Sequence, residues 1–384
     1  MRILAIETSC DDTCIAIVEA SPRRGSKIPH FRVLANVISS QTEIHKKYGG
    51  VVPSLAKRAH QENLVTVLEK ALGEAGMKLS PSAKSYTKGQ SKIKNAGKIL
   101  EREPELLEQF IKTVVPIPKP KINFIAVTHG PGLEPALWAG INFARALSYW
   151  WRIPLLGVDH MEGHIAANFL HTGKVEFPAI VLAVSGGHTQ LILVKDILKY
   201  KLIGETVDDA AGEGFDKVAR MLGLSFPGGP KIAKSAKGGN PKAFDFPRPM
   251  LHSKDYNFSF SGLKTAVLYT IRDLTVTSKI KKDIAASFQQ AAVDVLIAKT
   301  IRAAEEYKVK TIMLAGGVAA NEELRKQFGE VIKKELPDTL YKIPHTSLAT
   351  DNAAMIAAAA YFRRNKATLT RWKTLKANGN LKIG

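Results

Sequence analysis

Runs of apolar residues flank a polar turn at two places along the chain, and the two places resemble each other. In the first, Arg2–Ile6 and Thr13–Glu19 enclose the turn. In the second, Ala179–Val184 and Gln190–Val194 do so. Short apolar runs that are rich in β-branched residues and bounded by turn residues are typical of strands. The sequence therefore predicts two strand-turn-strand units, and we expect the chain to begin the same fold twice.

Helical periodicity is clearest in four segments, and two further apolar runs accompany them. The predicted helices are Leu55–Ala71, Ala136–Trp150, Ile284–Glu306 and Asn352–Phe362. The two runs, Phe124–Val127 and Thr311–Leu314, end in glycine-rich turns and are predicted to be buried strands. Strands that alternate with helices indicate an α/β fold. A chain of 384 residues is long enough for two such domains, and we expect their polar turns to hold a nucleotide's phosphates.

Basic residues outnumber acidic ones by a wide margin, since 55 Lys and Arg against 35 Asp and Glu give a net charge of +20. Such an excess attracts polyanions, so nucleic acid is the predicted class of partner, although a basic surplus also serves solubility alone. The excess is concentrated in the C-terminal residues 357–384 and in an insertion at about 78–120. We interpret the first as a basic helix and tail, and the start of the second as a loop by its composition.

Several classes of protein are not supported by the composition. No uninterrupted apolar run of about 18 residues is present, so we expect no membrane span. The first residues lack the layout of a signal peptide or a transit peptide. The two cysteines, Cys10 and Cys14, are too few for a disulfide framework. The expected location is the cytoplasm.

The segment His160–His164 carries the clearest chemical pattern. Its two histidines are four residues apart, so in a helix they lie on one face and can bind one metal ion. The alternative is that they cap the helix or pack it. A zinc peptidase carries its general-base glutamate directly after the first histidine, and Met161 stands there instead. The peptidase interpretation is therefore not favoured.

A third metal ligand has to come from a distant part of the chain, and Asp351 is the best candidate. It precedes the predicted helix Asn352–Phe362, where a carboxylate can equally act as an N-cap. Two histidines and one carboxylate leave coordination positions open, which suits Fe(II) or another divalent metal that acts as a Lewis acid.

Glycine-rich turns and acidic residues supply the remaining candidates. Ser185–Thr189 and Ala315–Val318 each follow a predicted buried strand, where glycine lets the backbone approach a phosphate or a ribose. Neither matches a Walker loop or a GxGxxG fingerprint. Asp11, in the first polar turn, can order a metal, accept a proton or bond only to the backbone. A further acidic group predicts either a functional face or a solvated helix face, and its members are Asp208, Asp209, Glu213 and Asp216.

A series of short motifs, in a fixed order, resembles one known family. The motifs are Ile6–Thr13, Tyr48–Pro53, Gly130–Leu133, His160–His164, Val184–Thr189, Asp208–Glu213, Phe226–Pro230, Phe258–Lys264, Ala315–Asn321 and Thr350–Asn352. Together they resemble the bacterial TsaD family of tRNA N6-adenosine threonylcarbamoyltransferases. The resemblance extends from the first residues to about Phe362.

The resemblance implies a two-domain actin/hexokinase-like ATPase fold, with two related RNase H-like lobes and a nucleotide cleft between them. We expect the N-terminal lobe at 1–176, the C-terminal lobe at 177–356 and a basic tail at 357–384. The implied reaction transfers the threonylcarbamoyl group of threonylcarbamoyl-AMP to N6 of the adenosine 3′ of the anticodon, in tRNAs that read A-starting codons. Its products are N6-threonylcarbamoyladenosine and AMP.

The resemblance also implies roles for individual residues. The metal, Fe(II) first and Zn second, is expected on His160, His164 and Asp351. Asp11 is the expected catalytic residue, which orients or deprotonates the attacking amine, with His188 as the alternative. The residues implied to bind threonylcarbamoyl-AMP are Ala183, Val184, Ser185, Gly186, Gly187, Asp216, Gly229 and Asn321.

The implied partners are the tRNA substrate, a TsaB-like paralogue and a TsaE-like P-loop ATPase, with no membrane. Two other functions stay open from the sequence. A small-molecule kinase of the same fold would transfer phosphate without any requirement for tRNA. A non-catalytic basic protein would bind RNA with a steep salt dependence and have no defined adenylate pocket.

Overall fold

The computed structural model describes residues 1–77, 90–170 and 174–383, which form two compact units. Unit 1 comprises Met1–Ile44, Val51–Leu170 and Asp351–Ile383. Unit 2 comprises His45–Gly50 and the described part of His171–Thr350. The first part of the predicted insertion, 78–89, lies outside the described residues.

Unit 1 is built on a five-stranded sheet with the order β3-β2-β1-β4-β5. Its strands are β1 Arg2–Glu7, β2 Asp12–Ser21, β3 His30–Ser40, β4 Phe124–Gly130 and β5 Leu155–Asp159. The first three pair antiparallel, and β4 and β5 run parallel to β1. Strands β1 and β4 are buried almost throughout, as expected of parallel strands at the centre of a sheet that is covered on both faces.

Unit 2 repeats this arrangement. Its strands are β6 Ala179–Val184, β7 Thr189–Asp196, β8 Lys199–Glu205, β9 Thr311–Ala315 and β10 Leu340–Lys342. Their order is β10-β9-β6-β7-β8, with an antiparallel meander of three strands followed by two parallel strands. The prediction that the chain begins the same fold twice is therefore confirmed.

The four helices predicted from periodicity are present, and three of them begin two to six residues earlier than predicted, while the fourth begins at Ala353 instead of Asn352. The first six helices described along the chain are α1 Thr42–Lys46, α2 Pro53–Glu74, α3 Gln90–Ile99, α4 Pro104–Gln109, α5 Glu134–Trp151 and α6 His160–Ala167. A π-helical turn, Phe110–Val114, continues α4. Both α2 and α5 carry a proline in the first turn, where its missing N–H costs nothing. Periodicity detects only the buried turns that follow.

Unit 2 contributes five described helices, and the longest forms its core. They are α7 Ala211–Met221, α8 Gly228–Ala236, α9 Ser261–Arg272, α10 Ser278–Glu306 and α11 Glu322–Glu335. Among the described residues, only α10 is long and apolar enough to cross a membrane by length and composition, and 83% of that apolar window is buried. Such burial is what the core helix of a globular unit shows.

The last helix, α12 Ala353–Phe362, returns to unit 1 and differs from the domain boundaries expected from the sequence. It packs against α6, β1 and β2, and the residues after it also stay on unit 1, where Leu375 is buried. The expected C-terminal lobe at 177–356 and separate tail at 357–384 therefore differ from the structure. There, unit 2 ends at Thr350, and residues Asp351–Ile383 belong to unit 1. The physical reason is that α12 is apolar on every side and needs cover from both the sheet and α6.

Candidate functional site

The two histidines of the predicted metal site lie on the first turns of α6. Asp159 caps this helix, since its Oδ1 accepts hydrogen bonds from the backbone N–H groups of Met161 and Glu162 at 2.7 and 3.1 Å. The rings of His160 and His164 are 4.6 Å apart between centroids, and both are buried. Because Asp159 fills the capping position, the interpretation of the histidines as helix caps is wrong.

The carboxylate of Asp351 points at these two rings. Its Oδ1 lies 3.2 Å from His164 Nε2 and 3.6 Å from His160 Nε2. The N-cap of α12 is the next residue, Asn352, whose side chain accepts a hydrogen bond from Met355 N at 3.0 Å. The alternative role of Asp351 as an N-cap is therefore wrong, and its carboxylate faces the two imidazoles instead.

The three side chains fit a divalent metal ion. One ligand atom from each of them lies within 4.8 Å of the others. His164 is fully buried, and within the described part of the chain neither of its ring nitrogens makes a hydrogen bond. A buried polar atom without a partner is costly, and metal coordination would satisfy it. Two imidazoles with one carboxylate suit Fe(II) or Zn.

The orientation of His160 is fixed by Glu7, a residue that the sequence reasoning missed. His160 Nδ1 lies 2.9 Å from Glu7 Oε2. Because an ionised carboxylate only accepts hydrogen bonds, Nδ1 carries a proton, and Nε2, on the side of Asp351, is the nitrogen that can bind a metal ion once it has lost its own proton. Glu7 is itself held by Thr128 Oγ1 at 2.6 Å and by the backbone N–H of Ser9. This is the carboxylate-histidine arrangement that supports metal ligands.

The electrostatics of the pocket favour a cation. Burial alone would lower the pKa of His160, but the carboxylates of Glu7 and Asp351 outweigh it and raise that pKa to about 9. Burial, together with the charges of Asp351 and Asp11, raises the pKa of the Asp12 carboxyl to about 7. The carboxylates of this buried space thus repel one another, and a bound metal ion would reduce that repulsion.

Asp11 lies in the turn between β1 and β2, in the same unit as the three candidate ligands. Burial first, then the charges of Asp11 and Asp351, raise the pKa of the Cys10 thiol, so both carboxylates act on one side chain. The turn is held from α2 by His60, whose Nε2 donates to the Cys10 carbonyl at 3.0 Å. Its Nδ1 then accepts from Thr13 Oγ1 at 2.7 Å. The sequence reasoning missed this buried histidine.

The predicted adenylate residues of unit 2 gather at the carboxyl ends of β6 and β9. Ala183 and Val184 are buried in β6, so they can offer only backbone groups to a ligand. The exposed turn that follows carries Gly186 and Gly187, whose missing Cβ atoms would meet nothing within 4 Å. Gly316 follows β9 with φ +84°, and a Cβ there would lie 2.4 Å from the Val184 carbonyl oxygen. Glycine is required at this close approach.

The other predicted adenylate residues are Asp216 in the middle of α7, Gly229 at the start of α8 and Asn321 at the start of α11. Asp216, on α7, accepts a hydrogen bond from the backbone N–H of Gly228 at 2.6 Å, which places it beside Gly229 in the first turn of α8. Asn321 caps α11 by accepting from Leu324 N at 3.0 Å. Its amide nitrogen donates to Gln289 Oε1 at 2.9 Å, so this side chain has structural partners of its own.

The second acidic group is paired rather than solvated. Asp208 accepts from Ser259 Oγ at 2.5 Å and from Phe260 N at 2.9 Å, at the start of α9. Asp209 bridges Lys217 on α7 and Lys264 on α9, at 2.7 and 2.8 Å. The interpretation of this group as a solvated helix face is therefore wrong for its first two members, which join the starts of α7 and α9.

Two glycine substitutions near the turn that follows β6 should differ in their effect on stability. A Cβ at Gly212, on α7, would lie 2.4 Å from the Ser185 carbonyl oxygen. Alanine is the better helix former by about 1 kcal/mol, yet we expect Gly212→Ala to destabilise the protein by about 1–3 kcal/mol because backbone must move. Gly187→Ala meets open space, so its stability should change by less than about 0.5 kcal/mol.

Chemical denaturation measures the stability of both variants, and calorimetric titration with AMP measures the ligand affinity of Gly187→Ala. Gly187→Ala should weaken AMP binding at unchanged stability, because the added methyl group fills space that a phosphate would occupy. Unchanged stability of Gly212→Ala would contradict the close approach, and unchanged AMP affinity of Gly187→Ala would remove this turn from the adenylate site.

Comparisons with known proteins agree with the motif series. A family model described as TsaD, tRNA N6-adenosine threonylcarbamoyltransferase, matches residues 32–87 and 100–358. A protein of that name from Thermosipho africanus is 45% identical over 383 residues, which cover 100% of each chain. Another from Bacillus subtilis is 45% identical over 361 residues, 94% of this chain and 89% of the relative. The unmatched stretch 88–99 is shorter than the insertion predicted at about 78–120.

The solved structure of HypF from T. kodakarensis is similar to this chain in fold. The alignment has a TM-score of 0.51 at 15% sequence identity, and it covers 70% of this chain and 45% of that chain. HypF has the actin/hexokinase-like ATPase fold. The likeness, together with the two equivalent sheets, confirms the fold class predicted from the sequence.

Proposed function

The chain belongs to the TsaD family of tRNA N6-adenosine threonylcarbamoyltransferases, so it is a transferase that modifies tRNA, and we propose that its donor is threonylcarbamoyl-AMP. The acceptor is N6 of the adenosine 3′ of the anticodon in tRNAs that read A-starting codons. The products are N6-threonylcarbamoyladenosine and AMP. The observation that carries the proposal is the convergence of His160, His164 and Asp351, with the buried carboxylate of Glu7 hydrogen-bonded to His160.

We assign His160, His164 and Asp351 as ligands of one divalent metal, with Fe(II) preferred to Zn. When bound, such an ion would supply Lewis acidity and would neutralise negative charge. The chain prepares the site in advance. Glu7 keeps the proton of His160 on Nδ1, while Ser9 and Thr128 hold Glu7 in place. These contacts leave the three ligand atoms oriented before any ion arrives.

In unit 2 we assign the turn after β6 to the donor's phosphate. Backbone N–H groups of Gly186 and Gly187 can donate to phosphate oxygens, since no side chain fills the space above these two glycines. The backbone N–H of Ser185 already donates to the His188 carbonyl at 2.8 Å, so Ser185 is assigned to the donor through its hydroxyl group. Asp216, Gly229 and Asn321, together with the backbone of Ala183 and Val184, are assigned to the rest of the adenylate.

The reaction forms a bond between N6 and the carbamoyl carbon and breaks the bond from that carbon to the phosphate oxygen of AMP. The leaving AMP keeps the electron pair of the broken bond. The attacking amine loses one proton, and we assign Asp11 as the group that orients this amine or accepts that proton. His188 is the alternative. Its backbone N–H donates a hydrogen bond to Ser185 Oγ at 3.1 Å, which fixes the turn that carries the imidazole.

A TsaB-like paralogue and a TsaE-like P-loop ATPase are proposed as partners, and the cytoplasm as the location. Reconstitution tests the function directly. The purified chain, both accessory proteins, threonylcarbamoyl-AMP and an unmodified tRNA are mixed, and the nucleosides are analysed by mass spectrometry. N6-threonylcarbamoyladenosine should appear in a metal-dependent manner. Phosphate transfer from ATP to a small molecule without tRNA would instead support the kinase alternative and overturn the proposal.

A further inference from the structure

A group of cations on unit 1 takes no part in the site described above. Lys92, on α3, holds its ammonium 4.6 Å from the centre of the Trp150 ring. Burial first, and then the charge of Arg152, lower the pKa of Lys92, so these two cations lie close together. Lys119 joins them, since its Nζ donates to the Arg152 carbonyl at 3.1 Å. Three like charges are thus held side by side.

The same surface continues to the C-terminal part of the chain. Asn95, also on α3, donates to Tyr149 OH at 3.1 Å. Tyr149 packs edge-on against Trp372 with 5.0 Å between ring centroids, and the backbone carbonyl of Trp372 accepts from Arg145. Trp372 is the centre of the short turn Arg371–Lys373, both ends of which are exposed cations. We call Lys92, Lys119, Arg152, Arg371 and Lys373 the basic face.

No member of the basic face forms an ion pair within the part of the chain that the structure describes, whereas Lys217 and Arg248 elsewhere do. Helix α3 adds Lys94 and Lys98 and contains no acidic residue. Adjacent like charges without counter-charges raise the energy of the protein alone. A bound polyanion would remove that cost, because each cation that meets a phosphate releases a counterion.

We propose that the basic face binds the sugar-phosphate backbone of the tRNA outside the anticodon loop, an inference that rests on the proposed function. RNA is favoured over an acidic protein because α3 and the turn Arg371–Lys373 expose no large apolar side chain, whereas the core of a protein interface is apolar. Helix α3 occupies most of the stretch 88–99 that the family model leaves unmatched. Lys92, Arg371 and Lys373 lie outside the stretches that the family model matches, whereas Lys119 and Arg152 lie within them.

The test compares two triple variants with the same change in net charge. Lys92→Gln/Lys119→Gln/Arg152→Gln neutralises three of the five cations of the basic face and touches none of the candidate site residues. The control, Lys195→Gln/Lys199→Gln/Lys201→Gln, removes three exposed charges from β7 and β8 of unit 2. Binding of an unmodified tRNA is measured by fluorescence anisotropy over a series of salt concentrations, and thermal unfolding verifies that both variants are folded.

The first variant should raise the Kd for tRNA at least tenfold and reduce the slope of log Kd against log salt by about three. The control should change the Kd less than about threefold at the same salt. Steady-state transfer should show a raised KM for tRNA at unchanged kcat, because the reacting groups lie elsewhere. A third variant that keeps the charges, Lys92→Arg/Lys119→Arg/Arg152→Lys, should retain tRNA affinity.

An unchanged Kd and salt slope in the first variant would overturn the proposal, as would equal losses in the control. Loss of binding to an accessory protein with tRNA affinity intact would assign the basic face to that protein and would also overturn it. The proposed function fails separately, if the wild-type chain yields no modified nucleoside. In that case charge-dependent tRNA binding by the basic face would still be measurable.

Discussion

Replacing His164 by alanine should abolish stable metal binding and reduce threonylcarbamoyl transfer by at least about 100-fold. Replacing a residue that supports a metal ligand typically lowers metal affinity or activity by about 10–100-fold. The loss of a ligand itself should cost more, because it removes part of the site. His164 is fully buried beside Asp351, and within the described chain the triad is the one cluster whose donor types and spacing suit a metal ion. A water molecule entering the alanine cavity would not restore an imidazole's affinity.

The measurement is the metal content per chain after dialysis, together with the metal affinity from competition with a chelator. His30→Ala is the matched control, because this histidine lies in the same unit at the exposed start of β3. Glu7→Gln should fall between the two, with a loss of about 10–100-fold in metal affinity, because the amide can donate and no longer fixes the proton on His160 Nδ1. Wild-type metal content in His164→Ala would contradict the assignment.

The fold was predictable from the sequence because its signals are local. The apolar runs of β1 and β2, and again of β6 and β7, are nearly continuous, and such short runs bounded by turn residues predict buried strands. The return of α12 to unit 1 was not predictable, since a helix that is apolar on every side is consistent with any cover. Its small residues fit against α6, where a Cβ at Gly163 would lie 2.7 Å from Ile356 Cδ1.

The candidate site was predictable only in part, for a related reason. His160 and His164 share one helix, so their spacing alone brought them together. Asp351 is equivalent in sequence to an N-cap, and only the hydrogen bond made by Asn352 decides between the two roles. Glu7 resembles the first residue of a polar turn, and its partner His160 is 153 residues away. Long-range pairs of this kind leave no periodic signal.

A second large effect is expected from a buried ion pair that lies between the histidines and the end of α12. Glu162 is 2% exposed, and its Oε2 accepts from Arg363 Nε at 2.6 Å, while a second guanidinium N–H of Arg363 donates to Oε1. The pair joins α6, which carries both imidazoles, to the end of α12, whose start follows Asp351. It is therefore placed where it could set the distance between the candidate metal ligands, which the variants below test.

Arg363→Met should destabilise the protein by about 3–5 kcal/mol, since it leaves Glu162 buried without a counter-charge. Glu162 already acts on Asp159, the N-cap of α6: burial first, and then the charge of Glu162, raise the pKa of Asp159 to about 6. Glu162→Gln should cost less, because Arg363 is partly exposed and can keep a hydrogen bond or turn to water. Chemical denaturation at pH 7 measures both losses.

The double variant Glu162→Leu/Arg363→Met separates burial of charge from positioning of the ligands. An apolar pair of similar volume often replaces a buried ion pair with little loss of stability, so most of the loss in Arg363→Met should be recovered. If the ion pair also fixes α6 against α12, the double variant should regain stability but bind metal about 10-fold more weakly than wild type. Losses of about this size are typical when a residue that supports a metal ligand is replaced. Full recovery of metal affinity would restrict the pair to a structural role. A double variant as unstable as Arg363→Met would contradict the electrostatic explanation altogether, because no buried charge would then remain to account for the loss.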